Sequence, residues 1–115
     1  VHALSHPIGA RHHTHHGTTN AVILLHAVRA CRPAVEAKMD RLAAYLGLPG
    51  GFDGVLAWVE ALNEELGVPR TLTALGVVDP DLDALTASAL ADPSAGGSPV
   101  EMTPEWTRAL LEACL

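Results

Sequence analysis

The sequence predicts an all-α domain, a compact array of several helices that spans residues 1–115. Apolar residues make up 49% of the chain, but they are mainly Ala, Leu and Val and only 3% of all residues are aromatic, a composition that suits packed helices. Several segments carry apolar residues at steps of three and four, which is the period of a helix face. No segment alternates apolar and polar residues as a half-buried strand does. A length of 115 residues is sufficient for a single domain with a modest core.

The first predicted helix covers residues 1 to about 13, and Pro7 and Gly9 are expected to bend or end it. The second covers residues 18–30, where nearly every position is apolar. Such a pattern indicates a helix that is buried on all sides. A strand is an alternative for residues 22–25, because a short apolar run has no periodicity that separates the two structures.

Two amphipathic helices are predicted next. Pro33 ends the second helix or opens the third, and Gly47 closes the third. The fourth helix is expected to begin with Asp53 as its cap and to end before Gly67. The apolar steps of three and four are made by Val35, Met39, Leu42 and Leu46 and then by Val55, Val59, Leu62 and Leu66. Both helices are therefore expected to bury one face.

The last part of the chain contains two signals for the start of a helix. Asp79-Pro80 has the form of a cap followed by a first-turn proline, and it predicts a helix that runs to about Ala91. Residues 92–99 are rich in Gly, Ser and Pro and are predicted to form a loop. Thr103-Pro104 repeats the cap-and-proline signal, so a final helix is expected after it.

The formal net charge of −6 is distributed unevenly along the chain. Every Asp and Glu lies at or after Glu36, whereas the residues up to Val35 include three arginines and no acid. A histidine-rich segment without carboxylates suits anionic partners, or a metal ion whose acidic ligand comes from elsewhere. Three arginines without clustered lysines make no phosphate-binding stripe, so we expect no nucleic-acid partner.

Other sequence features predict where the protein is located and whether the chain is part of a longer protein. No apolar run approaches the roughly 20 residues that a membrane span needs, and no signal peptide opens the chain, so no membrane association is expected. Cys31 and Cys114 have no metal-type spacing and no cysteine framework, which makes a reducing cytoplasm the default location. The chain lacks an initiator Met and begins one residue before its first histidine. We therefore expect it to be a truncated or cleaved part of a longer protein.

All seven histidines lie between His2 and His26, and imidazole is both the commonest protein metal ligand and a group that titrates near neutral pH. His2 and His6 are four residues apart and so share one helix face. Four more histidines fall within five positions, and on sequence alone a solvated polar turn explains them as well as a site does. They are His12, His13, His15 and His16. His26 is expected to cap the second helix or to pack within it.

Two runs of residues carry a resemblance to a known family. They are His2-Ala-Leu-Ser-His6-Pro-Ile-Gly9 and His16-Gly17-Thr-Thr-Asn20-Ala-Val-Ile-Leu-Leu. Two histidines four apart, a Gly three residues later and a His-Gly pair that opens an apolar helix resemble the signature of the iron-containing alcohol dehydrogenases. The similarity continues in residues 32–43, 65–72, 75–77 and 102–113 and so covers nearly the whole chain. Maleylacetate reductases share this architecture, but the His-Pro-Ile-Gly run looks more like the general alcohol dehydrogenase branch.

The resemblance implies that residues 1–115 are the all-helical C-terminal domain of such an enzyme and that an N-terminal nucleotide-binding domain is missing. It implies that His2 and His16 bind a divalent metal, Fe²⁺ or Zn²⁺. It gives His6 a catalytic role beside the metal and the nicotinamide, in proton transfer or substrate orientation. His12, His13 and His15 then remain solvated or line the pocket.

The resemblance also implies partners. NAD(P) would bind through the missing domain, the substrate would be a small alcohol or aldehyde, and the enzyme would be a homo-oligomer. The 115-residue chain alone would be inactive, because it has no nucleotide site. Two other functions stay open on the sequence. One is a non-catalytic helical module that binds metal through its histidines, and the other is a metal-free module that pairs with a separately encoded nucleotide-binding half.

Overall fold

The chain folds into six α-helices and one short 3-10 helix, and it contains no strand. The computed structural model describes every residue from Val1 to Leu115. The helices are α1 (His2–His12), α2 (His16–Ala30), α3 (Arg32–Leu46), α4 (Gly51–Glu65), α5 (Leu82–Ala91) and α6 (Pro104–Ala113), and the 3-10 helix (Pro93–Gly97) lies between α5 and α6. The predicted all-α fold class is confirmed, and the strand alternative for residues 22–25 is excluded because they lie inside α2.

Four helices enclose the main hydrophobic core: α1 packs against α2 and α5, while α6 packs against α2 and α5. The buried residues of this core are Leu4, Ile8, Val22, Ile23, Ala27, Leu72, Val77, Leu85, Leu110, Leu111 and Cys114. Helices α3 and α4 pack on each other and join α2 through a smaller cluster of Leu25, Phe52 and Leu56. The core thus fixes α1, α2 and α5 relative to one another.

Helix α1 runs through Pro7 and Gly9, which excludes the predicted alternative that the helix ends at these residues. Pro7 has no N–H to donate within the helix, but it is buried together with Leu4 and Ile8 on the core side of α1. Burial of that face holds the helix together across the missing hydrogen bond. The helix ends at His13, which has a φ of 55° and whose N–H donates to the Gly9 carbonyl at 2.9 Å.

Helix α2 is buried against both hydrophobic clusters but not on all sides, which corrects the expectation for this helix. Val22, Ile23 and Ala27 face the main core and Leu25 faces the smaller cluster, whereas Leu24 is 37% exposed. The sequence pattern does not show this, because Leu24 is as apolar as its buried neighbours. Pro33 lies in the first turn of α3, so it opens that helix and does not end α2.

The start of α4 differs from the prediction that Asp53 caps it. The helix begins at Gly51, and the backbone N–H of Phe52 donates to the Asp40 carboxylate of α3 at 2.7 Å. Asp53 lies in the first turn, where its carboxylate accepts hydrogen bonds from the Arg32 guanidinium at 2.9 Å. The cap of α4 is therefore supplied by the neighbouring helix, which sequence spacing alone does not reveal.

Gly54 is required where α4 begins, because a Cβ at this position would lie 1.9 Å from the Pro49 carbonyl oxygen. We expect Gly54→Ala to lower the free energy of unfolding by about 1–3 kcal/mol, as overpacking does. Helix propensity alone predicts a gain of about 1 kcal/mol, so the two effects have opposite signs. Urea unfolding measures the difference. Gly96→Ala is the matched control, since nothing lies within 4 Å of its added Cβ. A Gly54→Ala variant as stable as the wild type would contradict the close approach of the Pro49 carbonyl oxygen.

Two predictions about the C-terminal helices are corrected and one is confirmed. The cap of α5 is Asp81, whose Oδ1 accepts the Ala84 N–H at 2.9 Å, whereas Asp79 has a φ of 44° and lies outside the helix. The predicted loop at residues 92–99 contains the 3-10 helix, with Asp92 as its cap. Thr103 caps α6 as predicted and accepts the Trp106 N–H at 3.2 Å.

The α3–α4 pair carries apolar side chains on its outer surface. Its exposed large apolar residues are Leu42, Tyr45, Leu46, Trp58 and Leu62. No single helix of the chain is long and apolar enough to cross a bilayer, and α3 and α4 reach that length together only across a bend of 67°.

Candidate functional site

Three of the histidines form a cluster where α1 meets the first turn of α2. The imidazole centroids are 5.6 Å apart for His2 and His6, 5.3 Å for His2 and His16, and 5.4 Å for His6 and His16. The rings therefore form a nearly equilateral triangle, which we call the histidine triangle. Helix α1 places His2 and His6 on one face because they are four residues apart, and the packing of α1 on α2 adds His16. All three side chains are solvent-exposed.

Polar neighbours hold two members of the histidine triangle. The Nδ1 atom of His6 lies 2.8 Å from Asp92 Oδ2, across a separation of 86 residues. The Nε2 atom of His16 lies 3.0 Å from the side-chain nitrogen of Asn20, one turn further along α2. The hydrogen bond with His6, followed by the one from the Ser94 N–H, lowers the pKa of Asp92 below its ordinary value. Asp92 is therefore an ionised hydrogen-bond acceptor at neutral pH.

The other histidines of the segment lie outside the histidine triangle and have local surroundings of their own. His13 ends α1 in the left-handed conformation. His15 caps α2, because its Nδ1 accepts the Thr18 N–H at 3.4 Å. His26 is half-buried within α2, and burial, then the nearby Arg29, lowers its pKa, so it is neutral. His12 is partly exposed and borders none of these contacts.

An apolar cavity of about 340 Å³ opens beside His2. Ten of its fifteen lining residues are hydrophobic, and most of them come from the starts of α1 and α3, from the second half of α2 and from α6. Cys31 lines this cavity, and burial raises the pKa of its thiol, which keeps it protonated. Ser94 and Ser98 are among the few polar groups at the wall. Such a lining suits an apolar group more than a charged one.

The donor atoms of the chain fit a divalent metal ion only in part. No group of three or more His, Cys, Asp or Glu side chains is arranged to hold an ion. Two imidazoles from the histidine triangle are suitable ligands for Fe²⁺ or Zn²⁺. His6 differs from the other two because one of its ring nitrogens is engaged by a carboxylate. The chain therefore supplies at most part of a coordination shell, through imidazoles of the histidine triangle.

Residues 1–115 match the family model for the C-terminal part of the Fe-containing alcohol dehydrogenase family. The chain belongs to this family. Enzymes of the iron-containing alcohol dehydrogenase family use a metal and NAD(P). The resemblance carried by the His2-to-Gly9 run and the His16-Gly17 pair is therefore confirmed at the level of the family.

Individual relatives agree with the family assignment. The chain is 35% identical over 112 residues to lactaldehyde reductase from Escherichia coli strain K12, an alignment that covers 91% of the chain and 29% of that protein. It superposes on the crystal structure of 1,3-propanediol oxidoreductase with a TM-score of 0.89 and 26% identity, over 99% of the chain and 32% of the other. The maleylacetate reductase structure from Rhizobium sp. strain MTP-10005 gives a TM-score of 0.75 and 32% identity, over 99% and 31%. The chain thus spans about 30% of the length of these relatives.

Sequence reasoning missed one residue of the site, Asp92. Its only local signal is an Asp followed by Pro93, which indicates a helix cap and not a partner for a histidine. The 86 residues between Asp92 and His6 hide the contact, and only the packing of α1 against α5 and the 3-10 helix reveals it.

Proposed function

We propose that this chain supplies the metal-binding and catalytic histidines of an NAD(P)-dependent, iron-type alcohol dehydrogenase, which transfers hydride between an alcohol and an aldehyde or ketone. The observation that carries the proposal is the histidine triangle, in which all three motif histidines come within 5.3–5.6 Å of one another. The family assignment supports the reaction class. The nucleotide-binding half lies outside residues 1–115 in this proposal.

His2 and His16 are the two ligands that this chain contributes to the divalent metal, Fe²⁺ or Zn²⁺. Their imidazoles come from different helices, so their spacing depends on the packing of α1 on α2. When bound, the metal supplies Lewis acidity that lowers the pKa of an alcohol hydroxyl. The remaining protein ligands belong to the nucleotide-binding half, because the chain holds no third ligand in position.

His6 is the catalytic residue in this proposal. Its Nδ1 is hydrogen-bonded to Asp92 at 2.8 Å, so Nε2 is the ring nitrogen available to a substrate. Nε2 accepts the hydroxyl proton of the alcohol as hydride leaves for the nicotinamide, and it returns the proton in the reverse direction. A positioned general base of this kind contributes roughly a hundredfold to ten-thousandfold to the rate.

The partners of the complete enzyme follow from the same proposal. They are a small alcohol or aldehyde, the nucleotide-binding half of the same enzyme and further copies of the subunit. The apolar cavity beside His2 supports a substrate with a short hydrocarbon portion.

A non-catalytic helical module that binds metal through its histidines is the second candidate, and it is favoured by the convergence of three imidazoles within residues 1–115 alone. The coding sequence upstream of Val1 separates the two candidates. An in-frame α/β region with an Asp-x-x-x-His pair supports the enzyme, whereas a start codon directly before Val1 supports the module.

The pure 115-residue chain is expected to show no alcohol oxidation with NAD or NADP, since its two glycine pairs, Gly50-Gly51 and Gly96-Gly97, form no nucleotide-binding fingerprint. The measurement is the formation of reduced nicotinamide, with primary alcohols and added Fe²⁺ or Zn²⁺. The control is a complete enzyme that contains the same 115 residues, which should turn over under identical conditions. Turnover by the chain alone, free of contaminating dehydrogenase, would place the whole active site within it and contradict the proposal.

A further inference from the structure

We infer that Asp92 is a positioning residue that orients the His6 imidazole and fixes which of its nitrogens carries the proton. The inference deepens the proposed function, because it concerns the histidine to which we assign proton transfer. It rests on the contact between α1 and the junction of α5 with the 3-10 helix.

Each oxygen of the Asp92 carboxylate makes a hydrogen bond. Oδ2 lies 2.8 Å from His6 Nδ1, and Oδ1 accepts the Ser94 N–H at 2.8 Å. The second bond is a helix cap, so it ties the carboxylate to the backbone of the 3-10 helix. Pro93 follows directly and fixes its own φ. Asp92 is therefore a rigid acceptor, and His6 is oriented toward it.

The Asp92 side chain is less exposed than the His6 side chain, as a residue that positions the ring from behind should be. The Asp92 side chain is 12% exposed, whereas the His6 side chain is 43% exposed. The carboxylate is thus shielded behind the ring, and the far side of the ring remains open. His6 presents that open side within the histidine triangle, 5.4–5.6 Å from its two neighbours.

Hydrogen-bond chemistry then decides the tautomer of His6. An ionised carboxylate only accepts, so the neutral ring must donate from Nδ1 and keep its lone pair on Nε2. An isolated histidine side chain in water favours the opposite tautomer, with the proton on Nε2. Asp92 thus holds His6 in the form that can accept a proton from a substrate on its open side.

Asp92→Asn tests this inference sharply. The amide oxygen can still accept the Ser94 N–H and keep the cap, as Asn is a good capping residue, which leaves the NH₂ group facing His6. The ring nitrogen nearest Asp92 must then accept, so we expect His6 to change from the Nδ1–H to the Nε2–H tautomer. Nitrogen chemical shifts of the His6 ring, measured by NMR on the ¹⁵N-labelled, metal-free chain at a pH where the ring is neutral, report the tautomer directly.

Asp81→Asn is the matched control. Asp81 also caps a helix, through the Ala84 N–H at 2.9 Å, but it does not contact a histidine. This variant should leave the His6 tautomer unchanged, although it loses the same charge. An Nε2–H tautomer in the wild-type chain, or an Nδ1–H tautomer that persists in Asp92→Asn, would overturn the inference.

Kinetics of the complete enzyme provide a second, separate readout. Asp92→Asn should lower kcat about tenfold to a hundredfold, as loss of a partner behind a functional histidine does, while metal content and the KM for NAD(P) stay near wild type. Asp92→Glu, which restores the carboxylate, should recover part of kcat. A tautomer change without any change in kcat would support the role of Asp92 and contradict the proton-transfer role of His6. An unchanged tautomer together with an unchanged kcat would overturn the inference and leave the metal site unaffected.

Discussion

Replacing His2 or His16 by alanine in the complete enzyme is expected to remove both the bound metal and the dehydrogenase activity. These imidazoles are the two ligands that we assign to this chain, and His6, the third member of the histidine triangle, is engaged by Asp92 through its Nδ1. A catalytic metal contributes several kcal/mol of transition-state stabilisation, which corresponds to a rate loss of about a thousandfold or more. The effect should be as large for one histidine as for the other.

The measurement pairs metal content per subunit, by elemental analysis, with turnover of a primary alcohol. His12→Ala is the matched control, because His12 belongs to the same histidine-rich segment but lies outside the histidine triangle. It should retain metal and activity. A His16→Ala variant that keeps its metal, or a His12→Ala variant that loses it, would move the metal site elsewhere in the segment.

His6→Ala should leave the metal in place and lower turnover about a hundredfold. The ring of His6 is held by Asp92 rather than by a metal in this account, so its loss removes a general base and not a ligand. Positioned acid–base groups contribute roughly a hundredfold or more. Metal content and kcat measured on the same preparation separate the two roles. If the His6→Ala enzyme lost its metal while His16→Ala kept it, the assignments of His6 and His16 would be reversed.

Much of the fold follows from local sequence, and the exceptions have physical causes. The steps of three and four in α3 and α4 predict amphipathic helices because that spacing places apolar residues on one face. The spacing does not predict that α1 continues through Pro7, since burial beside Leu4 and Ile8 offsets the missing hydrogen bond. Two nearby aspartates, Asp79 and Asp81, can each precede a helix, and only the backbone conformation of Asp79 excludes it as the cap.

The sequence likewise predicts only part of the candidate site. Helix periodicity places His2 and His6 on one face, but their convergence with His16 depends on how α1 packs on α2. The resemblance to the family motif selected these three residues, whereas on spacing alone a solvated polar turn explains the group that contains His16 equally well. Asp92 could not be selected at all, because its contact with His6 spans 86 residues and its local sequence indicates only a cap.

The location of the metal in the complete enzyme directly tests whether His2 and His16 are its ligands. Anomalous diffraction from crystals of the Fe²⁺- or Zn²⁺-loaded enzyme identifies the ion and its ligands without reference to activity. We expect one anomalous peak bonded to a ring nitrogen of His2 and of His16, at about 2.0–2.1 Å as in other Zn–imidazole bonds, with His6 still hydrogen-bonded to Asp92. A peak bonded to His6 in place of His16, or to His12, His13 or His15, would contradict it.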